Sequence, residues 1–382
     1  MAEIEFADVT RVQRGMWRPL LDRVELSVRD GELMVVTGAS GSGKSALLRA
    51  LAGADPLDSG RVLIGGRDVT RLAPDKRGVS MLAQGFALFP QLSVRENIAF
   101  PLTMRKTSAK AVAARVAAIA ERCGVAAHLA ARPDALNFDL RQRAMMARAL
   151  VGEPLVVCVD EPLAGSGVPM MMRERTPIAT LQREFGVTML YATCSSTDAL
   201  AIADRIAVLE RGAVQQIGTA AQVFERPETV EVAGFVGQVP MNLVPAVLHE
   251  GSARVGGLRV KIGSAQAEAL TSDRVLIGLR AEELHLGGAA DAPDGGGFGP
   301  AAEPGTAADT ESGGLRAVAV LIRDAGREYL VHARMQGPDG PVDLVVRHTR
   351  GAPPVRGENL LITANPALAH LFDAATGRRL PD

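Results

Sequence analysis

The sequence has almost no net charge, few cysteines and no long apolar run, and each shortage excludes a class of protein. The 382 residues include 42 basic and 43 acidic side chains, a net charge of −1, so no nucleic-acid-binding surface is expected. Its three cysteines, Cys123, Cys158 and Cys194, lack metal-ligand spacing and fit a reducing compartment. No run approaches the ~20 apolar residues that cross a bilayer, so any membrane role must come through a partner.

The most specific motif present is a complete phosphate-binding loop. Residues 38–45 are Gly-Ala-Ser-Gly-Ser-Gly-Lys-Ser, between a strand-like run at 33–37 and a helix-forming run at 46–51. Its glycines allow a tight turn, so that backbone N–H groups and the positive end of the helix face a phosphate. Lys44 is expected to reach the terminal phosphates, and the Ser45 hydroxyl to ligate Mg²⁺. The predicted nucleotide ligands are Gly38, Ser40, Gly41, Ser42, Gly43, Lys44 and Ser45.

A second acidic strand end supports a nucleotide site. The buried-strand run at 155–159 ends in Asp160-Glu161-Pro162. An aspartate at this place can hold Mg²⁺ or its water, and the next glutamate can polarise an attacking water. The sequence therefore predicts Asp160 as a metal ligand and Glu161 as a catalytic residue.

The chain divides by composition into two parts. In residues 1–235, strand-like runs such as 155–159 and 189–193 alternate with helical patterns such as 109–123, which predicts a mostly parallel α/β sheet. A hairpin is expected at 60–69, turning at Gly65-Gly66. In residues 236–382, short apolar runs separated by Gly and Pro predict a small β domain. The Gly/Ala-rich segment 287–314 inside it buries too little apolar surface to offset its ordering entropy, so a disordered insertion is expected.

Beyond these motifs, the chain resembles a family, the ATP-binding subunits of ABC transporters, over nearly its whole length. The nearest group is the sugar and glycerol-phosphate importer type, which carries a transport-associated β domain behind the ATPase domain. The matching stretches are Arg77-Gly78-Val79-Ser80-Met81-Leu82-Ala83-Gln84, Phe86-Ala87-Leu88-Phe89-Pro90, Ser93-Val94-Arg95-Glu96-Asn97-Ile98, Ala203-Asp204-Arg205-Ile206-Ala207-Val208-Leu209, Pro240-Met241-Asn242-Leu243, Gly278-Leu279-Arg280-Ala281-Glu282-Glu283 and His370-Leu371-Phe372-Asp373.

The resemblance implies both a fold and a setting. It implies an α/β P-loop NTPase domain of ABC type with a helical subdomain, followed by a small OB-like β-barrel domain. Gln84 would be the loop glutamine that senses Mg²⁺, acts in catalysis and faces the membrane subunits. The implied cofactors are ATP and Mg²⁺. The implied partners are membrane permease subunits, a second ATP-binding subunit and, indirectly, a solute-binding protein, with the chain peripheral on the cytoplasmic face of the membrane.

The chain departs from the family pattern at the elements that complete hydrolysis. The family's Leu-Ser-Gly-Gly-Gln signature is replaced by Leu136-Asn137-Phe138-Asp139-Leu140, which adds bulk and a negative charge where backbone must approach phosphate. The switch histidine is replaced by Cys194, whose thiol is a weak donor. The usual Ser-x-Leu-Asp turn is Ala164-Gly165-Ser166-Gly167, without an acid. Nothing basic adjoins Cys194 in sequence, so a redox switch is not expected.

Two questions stay open on the sequence alone. Trp17, the only tryptophan, either stacks on adenine or packs in the ordinary way. The altered signature and the missing histidine each remove a donor to transition-state charge, and losing one such donor costs ~10²–10³ in rate. The chain is therefore either an importer ATPase that hydrolyses weakly, or an inactive ATP-binding subunit that pairs with an intact ATPase. A different phosphate-loop enzyme, such as a kinase, does not account for the long match. The solute, and whether the subunit forms a homodimer or a heterodimer, are not encoded in any motif.

Overall fold

The computed structural model of the protein describes residues 2–13, 15, 17–82, 88–161, 177–287, 314–349 and 351–382. The chain forms two compact units, Met1–Arg226 and Pro227–Asp382. The sequence pattern placed the boundary slightly later, at 235, and that boundary stays a prediction. The predicted insertion at 287–314 lies outside the described residues apart from Gly287 and Gly314 at its ends.

The first unit contains a six-stranded sheet that carries the phosphate loop. Its strands lie in the order β10-β9-β3-β8-β7-β6, parallel except for the edge strand β10, which is antiparallel to β9. The strands are β3 Leu33–Thr37, β6 Val79–Leu82, β7 Val156–Asp160, β8 Thr188–Thr193, β9 Arg205–Glu210 and β10 Ala213–Gly218. All residues of β3, β7 and β8 are buried, as expected for strands covered on both faces.

A second sheet in this unit is antiparallel and was not foreseen from the sequence. Its order is β2-β1-β4-β5, with β1 Ile4–Arg11, β2 Leu21–Val28, β4 Ser59–Ile64 and β5 Arg67–Asp68. The pairing of Ile64 with Arg67 confirms the predicted hairpin turn at Gly65-Gly66. One hydrophobic core joins this sheet, helix α1 (Lys44–Ala52) and the six-stranded sheet, so the phosphate-loop helix packs among side chains of both.

The other helices of the first unit lie along the connections between strands. They are α2 Val94–Met104, α3 Ala109–Arg122, α4 Phe138–Leu150, α5 Pro177–Phe185, α6 Ser196–Ile202 and α7 Ala220–Glu225. Helices α2, α3 and α4 contact one another and form a helical subdomain. The predicted helix at 109–123 is confirmed as α3, which begins at the N-cap Ser108. Among the described residues, no helix is long and apolar enough to cross a membrane.

The second unit is built from two five-stranded antiparallel sheets, which confirms the predicted OB-like β domain. The first sheet has the order β13-β12-β11-β14-β20 and the second β15-β19-β16-β17-β18, and their buried faces share one hydrophobic core. The strands are β11 Asn242–His249, β12 Ser252–Val255, β13 Leu258–Lys261, β14 Arg274–Leu279, β15 Leu284–Leu286, β16 Gly314–Asp324, β17 Tyr329–Gly337, β18 Gly340–His348, β19 Asn359–Ala364 and β20 His370–Asp373, with helices α8 Val230–Phe235 and α9 Ser264–Ala269.

Candidate functional site

The parallel register brings three separate chain segments to one edge of the six-stranded sheet. Thr37 at the end of β3 pairs with Thr193 at the end of β8, and Ala192 of β8 pairs with Asp160 at the end of β7. The Thr37 hydroxyl also donates to the Thr193 carbonyl at 3.0 Å, which ties the two strand ends together. The phosphate loop, Asp160 and Cys194 therefore meet at the carboxyl edge of the sheet, where ligands bind in α/β proteins.

The glycines of the loop are required by close backbone approaches. Gly38 has φ +150°, and a Cβ there would collide with the carbonyl oxygen of Leu209. Gly43, the N-cap of α1, has φ +109°, and a Cβ there would lie 2.5 Å from the Leu20 carbonyl oxygen. Helix α1 has no side-chain cap and no acidic residue in its first turn. Its positive N-terminus is thus left open to an anion.

Lys44 is held inside the loop by the loop's own oxygens. Its side chain is 3% exposed, and Nζ donates to the carbonyls of Gly38 at 2.8 Å and Ala39 at 2.9 Å. A longer contact of 3.4 Å reaches the Ser42 hydroxyl. Phosphate oxygens are stronger acceptors for an ammonium than these neutral groups, so a nucleotide can compete for the same cation.

Ser45 and Asp160, two of the three predicted Mg²⁺ ligands, lie in direct contact. The Ser45 hydroxyl donates to Oδ1 of Asp160 at 3.0 Å, and Asp160 is only 4% exposed. Burial raises the pKa of Asp160 and the neighbouring Glu161 adds to this, while the Ser45 hydrogen bond opposes it. A hydroxyl and a carboxylate are hard oxygen ligands that suit Mg²⁺. In the parts of the chain that the structure describes, no group of three His, Cys, Asp or Glu side chains could hold a metal.

Glu161 is engaged by the residue that stands where the family has its histidine. Its backbone lies in the left-handed region at φ +43°, and its N–H donates to the Ala192 carbonyl at 3.0 Å. The Cys194 thiol donates to Oε1 of Glu161 across 2.7 Å. Burial and this hydrogen bond raise the pKa of Cys194, and the nearby Lys44 does not reverse the shift. The thiol therefore stays neutral, unlike an imidazolium, which carries a positive charge.

Trp17 lies on the loop between β1 and β2. This loop is closed by a hydrogen bond from the Leu20 N–H to the Arg11 carbonyl at 2.7 Å, and the Leu20 carbonyl borders Gly43. The indole is 89% exposed and lies 5.1 Å from the Arg18 guanidinium. Such exposure does not agree with packing in a core, and the stacking role stays a prediction.

The N-terminus of α4, at the position of the family signature, is occupied by its own side chains. Asn137 caps the helix by accepting the Leu140 N–H at 2.9 Å. Asp139 lies in the first turn and accepts from Nε of Arg143 at 2.7 Å. A carboxylate here neutralises the positive helix end that would otherwise attract a phosphate. The N-terminal ends of α1 and α4 thus differ in charge: the first turn of α1 has no acidic residue, and the first turn of α4 carries Asp139.

Two predicted elements cannot be placed. Gln84 and the turn at 164–167 lie outside the described residues. The predicted ligands Ser40, Gly41 and Ser42 lie on the loop between β3 and α1. Sequence reasoning did not identify Thr37 as a residue that ties two strand ends, because that role depends on the register between β3 and β8. The only signal in the sequence was that both strands end in a threonine.

Comparison with known proteins identifies the family. The family model described as ABC transporter matches residues 21–164. The sn-glycerol-3-phosphate import ATP-binding protein UgpC of Cereibacter sphaeroides is 36% identical over 381 residues, covering 100% of both chains. The chain belongs to the ATP-binding subunits of ABC transporters.

Two further relatives of the family match over their full length. The diacetylchitobiose uptake system ATP-binding protein MsiK of Streptomyces coelicolor is 33% identical over 389 residues, with 100% of both chains covered. The trehalose/maltose import ATP-binding protein MalK of Thermococcus litoralis is 33% identical over 393 residues, again with 100% of both covered. The phosphate loop, Asp160 and Glu161 all lie within residues 21–164, the segment that the family model matches.

Proposed function

We propose that this ABC subunit binds MgATP at the 38–45 loop and docks on membrane permease subunits of an importer for a sugar or a glycerol phosphate. The observation that supports nucleotide binding most directly is the uncapped N-terminus of α1 beside the Ser45–Asp160 pair. The solute class is taken from the relatives UgpC, MsiK and MalK, which serve glycerol-3-phosphate, diacetylchitobiose and trehalose/maltose uptake. The permease and a second ATP-binding subunit complete the assembly, which lies on the cytoplasmic face of the membrane and meets a solute-binding protein only through the permease.

Each residue of the site has a role in this proposal. Lys44 and the loop N–H groups bind the phosphates, Ser45 and Asp160 hold Mg²⁺, and Trp17 stacks on the adenine. Glu161 polarises the attacking water. Gln84 would be the glutamine that senses Mg²⁺ and faces the permease, as in the family. Mg²⁺ supplies charge neutralisation on the phosphates, and the chain's own residues supply orientation.

Hydrolysis in a homodimer is expected to be slow. Cys194 offers a neutral thiol in place of an imidazole, and Asp139 places a carboxylate at the α4 end that faces the partner's nucleotide in the family. Like charges a few ångströms apart in a partly dry site cost several kcal/mol, on the order of the loss of a transition-state contact. The same two observations favour a second candidate, an ATP-binding subunit that is inactive by itself and pairs with an intact ATPase.

A turnover assay at saturating MgATP separates the two candidates. The control is Glu161→Gln, which keeps the side-chain size and removes the general base. We expect the wild type to hydrolyse well below ~1 s⁻¹, the lower end of the usual range, but measurably faster than the control. Binding without any turnover above the control supports the inactive subunit. A turnover of ~10 s⁻¹ contradicts both candidates.

A further inference from the structure

Arg77 is a buried cation whose hydrogen bonds all end on backbone carbonyls. The residue is 4% exposed and lies just before β6. Nη1 donates to Ala50 at 2.8 Å and to Leu51 at 3.2 Å, Nη2 to Thr70 at 2.8 Å, and Nε to Leu72 at 2.9 Å. Burial lowers the pKa of this arginine, although Asp68 partly opposes the shift. Burying a charge is costly unless it is hydrogen-bonded, and here each nitrogen of the guanidinium donates to at least one carbonyl.

Those carbonyls belong in part to the helix that follows the phosphate loop. Ala50 and Leu51 lie in the last turn of α1, at the negative end of the helix dipole, and the Ala50 carbonyl also accepts the N–H of the C-cap residue Gly53 at 3.3 Å. The C-cap Gly53 has φ +78°, and a Cβ there would collide with the Arg77 guanidinium. The planar guanidinium therefore fits closely against the C-terminal end of α1.

The same side chain connects this helix end to a different part of the fold. The carbonyls of Thr70 and Leu72 lie between β5 and β6, so one guanidinium bridges that connection and α1. The helix is nine residues long and begins at the loop itself, with Lys44 as its first residue. Because a short helix moves as one body, fixing its C-terminal end also fixes the direction of the N–H groups at its N-terminal end.

We propose that Arg77 is a positioning residue for nucleotide binding. It holds the C-terminal end of α1 so that the loop N–H groups and Lys44 converge on the phosphates. The inference rests on the proposed function, since it assumes that the loop binds MgATP. It predicts that the loss of the guanidinium weakens nucleotide affinity in protein that is still folded.

The test compares Arg77→Lys and Arg77→Met with a matched control in the other unit. Arg280 is also a buried arginine, 2% exposed, and donates to the Val236 carbonyl at 2.6 Å. The dissociation constants of MgATP and MgADP are measured by calorimetry for the full chain, at a temperature where circular dichroism shows each variant folded. Arg280→Met provides the general effect of removing a buried guanidinium.

We expect Arg77→Met to raise both dissociation constants about tenfold or more, as small misplacements of a binding group do. Arg77→Lys keeps the charge but carries its three donors on one nitrogen, which cannot reach all four carbonyls, so a smaller rise is expected. Arg280→Met leaves both constants unchanged. Folded Arg77→Met with wild-type affinity overturns the inference, as does an equal loss in Arg280→Met.

The conservative variant decides the matter if Arg77→Met does not fold. Unchanged affinity in Arg77→Lys then overturns the inference, and a severalfold rise supports it. Failure of the wild type itself to bind MgATP would instead contradict the proposed function. The two failures are therefore distinguishable in the same set of titrations.

Discussion

The thiol of Cys194 donates a hydrogen bond to Oε1 of Glu161 across 2.7 Å, at the edge of the sheet that carries the phosphate loop. The contact joins the ends of the neighbouring strands β8 and β7. It orients the carboxylate proposed as the general base, but the donor is a neutral thiol whose pKa is raised by burial and by that carboxylate. The site thus has an oriented base without the positive charge that an imidazolium would add.

Restoring the two altered elements together is expected to raise ATP turnover. One set changes Asn137→Ser, Phe138→Gly, Asp139→Gly and Leu140→Gln, and the second change is Cys194→His. Serine is as good an N-cap as asparagine, so α4 should still begin at the same place. We expect the combination to exceed either change alone by ~10-fold or more, because each restores a donor for transition-state charge.

Steady-state ATPase assays of the three variants and the wild type check this prediction. Calorimetry with MgATP serves as the control that binding is intact in each. If the combined variant is no faster than the wild type, the signature and Cys194 are not the limiting defects. The turn at 164–167 would then be the next element to restore.

His370 is expected to make the second unit less stable in mild acid. Burial lowers its pKa from 6.5 to about 4, helped by Arg379 and Arg280 and opposed by Asp382. The folded state therefore keeps the imidazole neutral while the unfolded chain takes up a proton below pH 6.5. Stability from this residue is present above pH 6.5 and falls as the pH decreases towards about 4.

Urea unfolding of the wild type and of His370→Gln at about pH 7.5 and about pH 5 measures the effect. Allowing for partial exposure, the free energy of unfolding of the wild type should fall by about 1 kcal/mol more than that of the variant between these two pH values. The exposed His249 of the same unit offers a matched control, His249→Gln, which should behave as the wild type. Equal losses in the wild type and His370→Gln would remove His370 as the cause.

Membrane association is expected to depend on protein contacts. The proposed attachment runs through permease subunits, as in importers of this family. Alkaline carbonate should release the chain from native membranes, with an intrinsic membrane protein retained as the control. Retention of the chain after carbonate would count against attachment through the permease alone.

The sequence predicted the parts of the site that are contiguous in the chain. The phosphate loop between β3 and α1 is a local pattern of glycines between a strand and a helix, and Asp160 is the last residue of its strand. The contact between Cys194 and Glu161 was not predictable, because it depends on the register of two parallel strands. The four-stranded antiparallel sheet was missed for a similar reason, since β1 pairs with β4 across a long stretch of chain.

Arg77 shows a different limit of sequence reasoning. It was recognised only as part of a family stretch, because an arginine before a strand is usually a solvated residue. Two of its carbonyl partners, Ala50 and Leu51, lie at the end of a helix packed in the core, and the other two lie on the connection between β5 and β6. Every residue has a backbone carbonyl, so the sequence does not show which carbonyls accept a side-chain hydrogen bond, and only the fold does.

The most direct test of the account is a calorimetric titration of the full chain with MgATP, beside Lys44→Ala and the exposed-lysine control Lys110→Ala. We expect saturable binding by the wild type and by the control. Lys44→Ala should bind at least about tenfold more weakly, because it loses charge-assisted hydrogen bonds to phosphate. The absence of binding by the wild type at millimolar MgATP (on the order of 1 mM, a weak affinity), or equal binding by Lys44→Ala, would contradict the assignment of this loop as the nucleotide site.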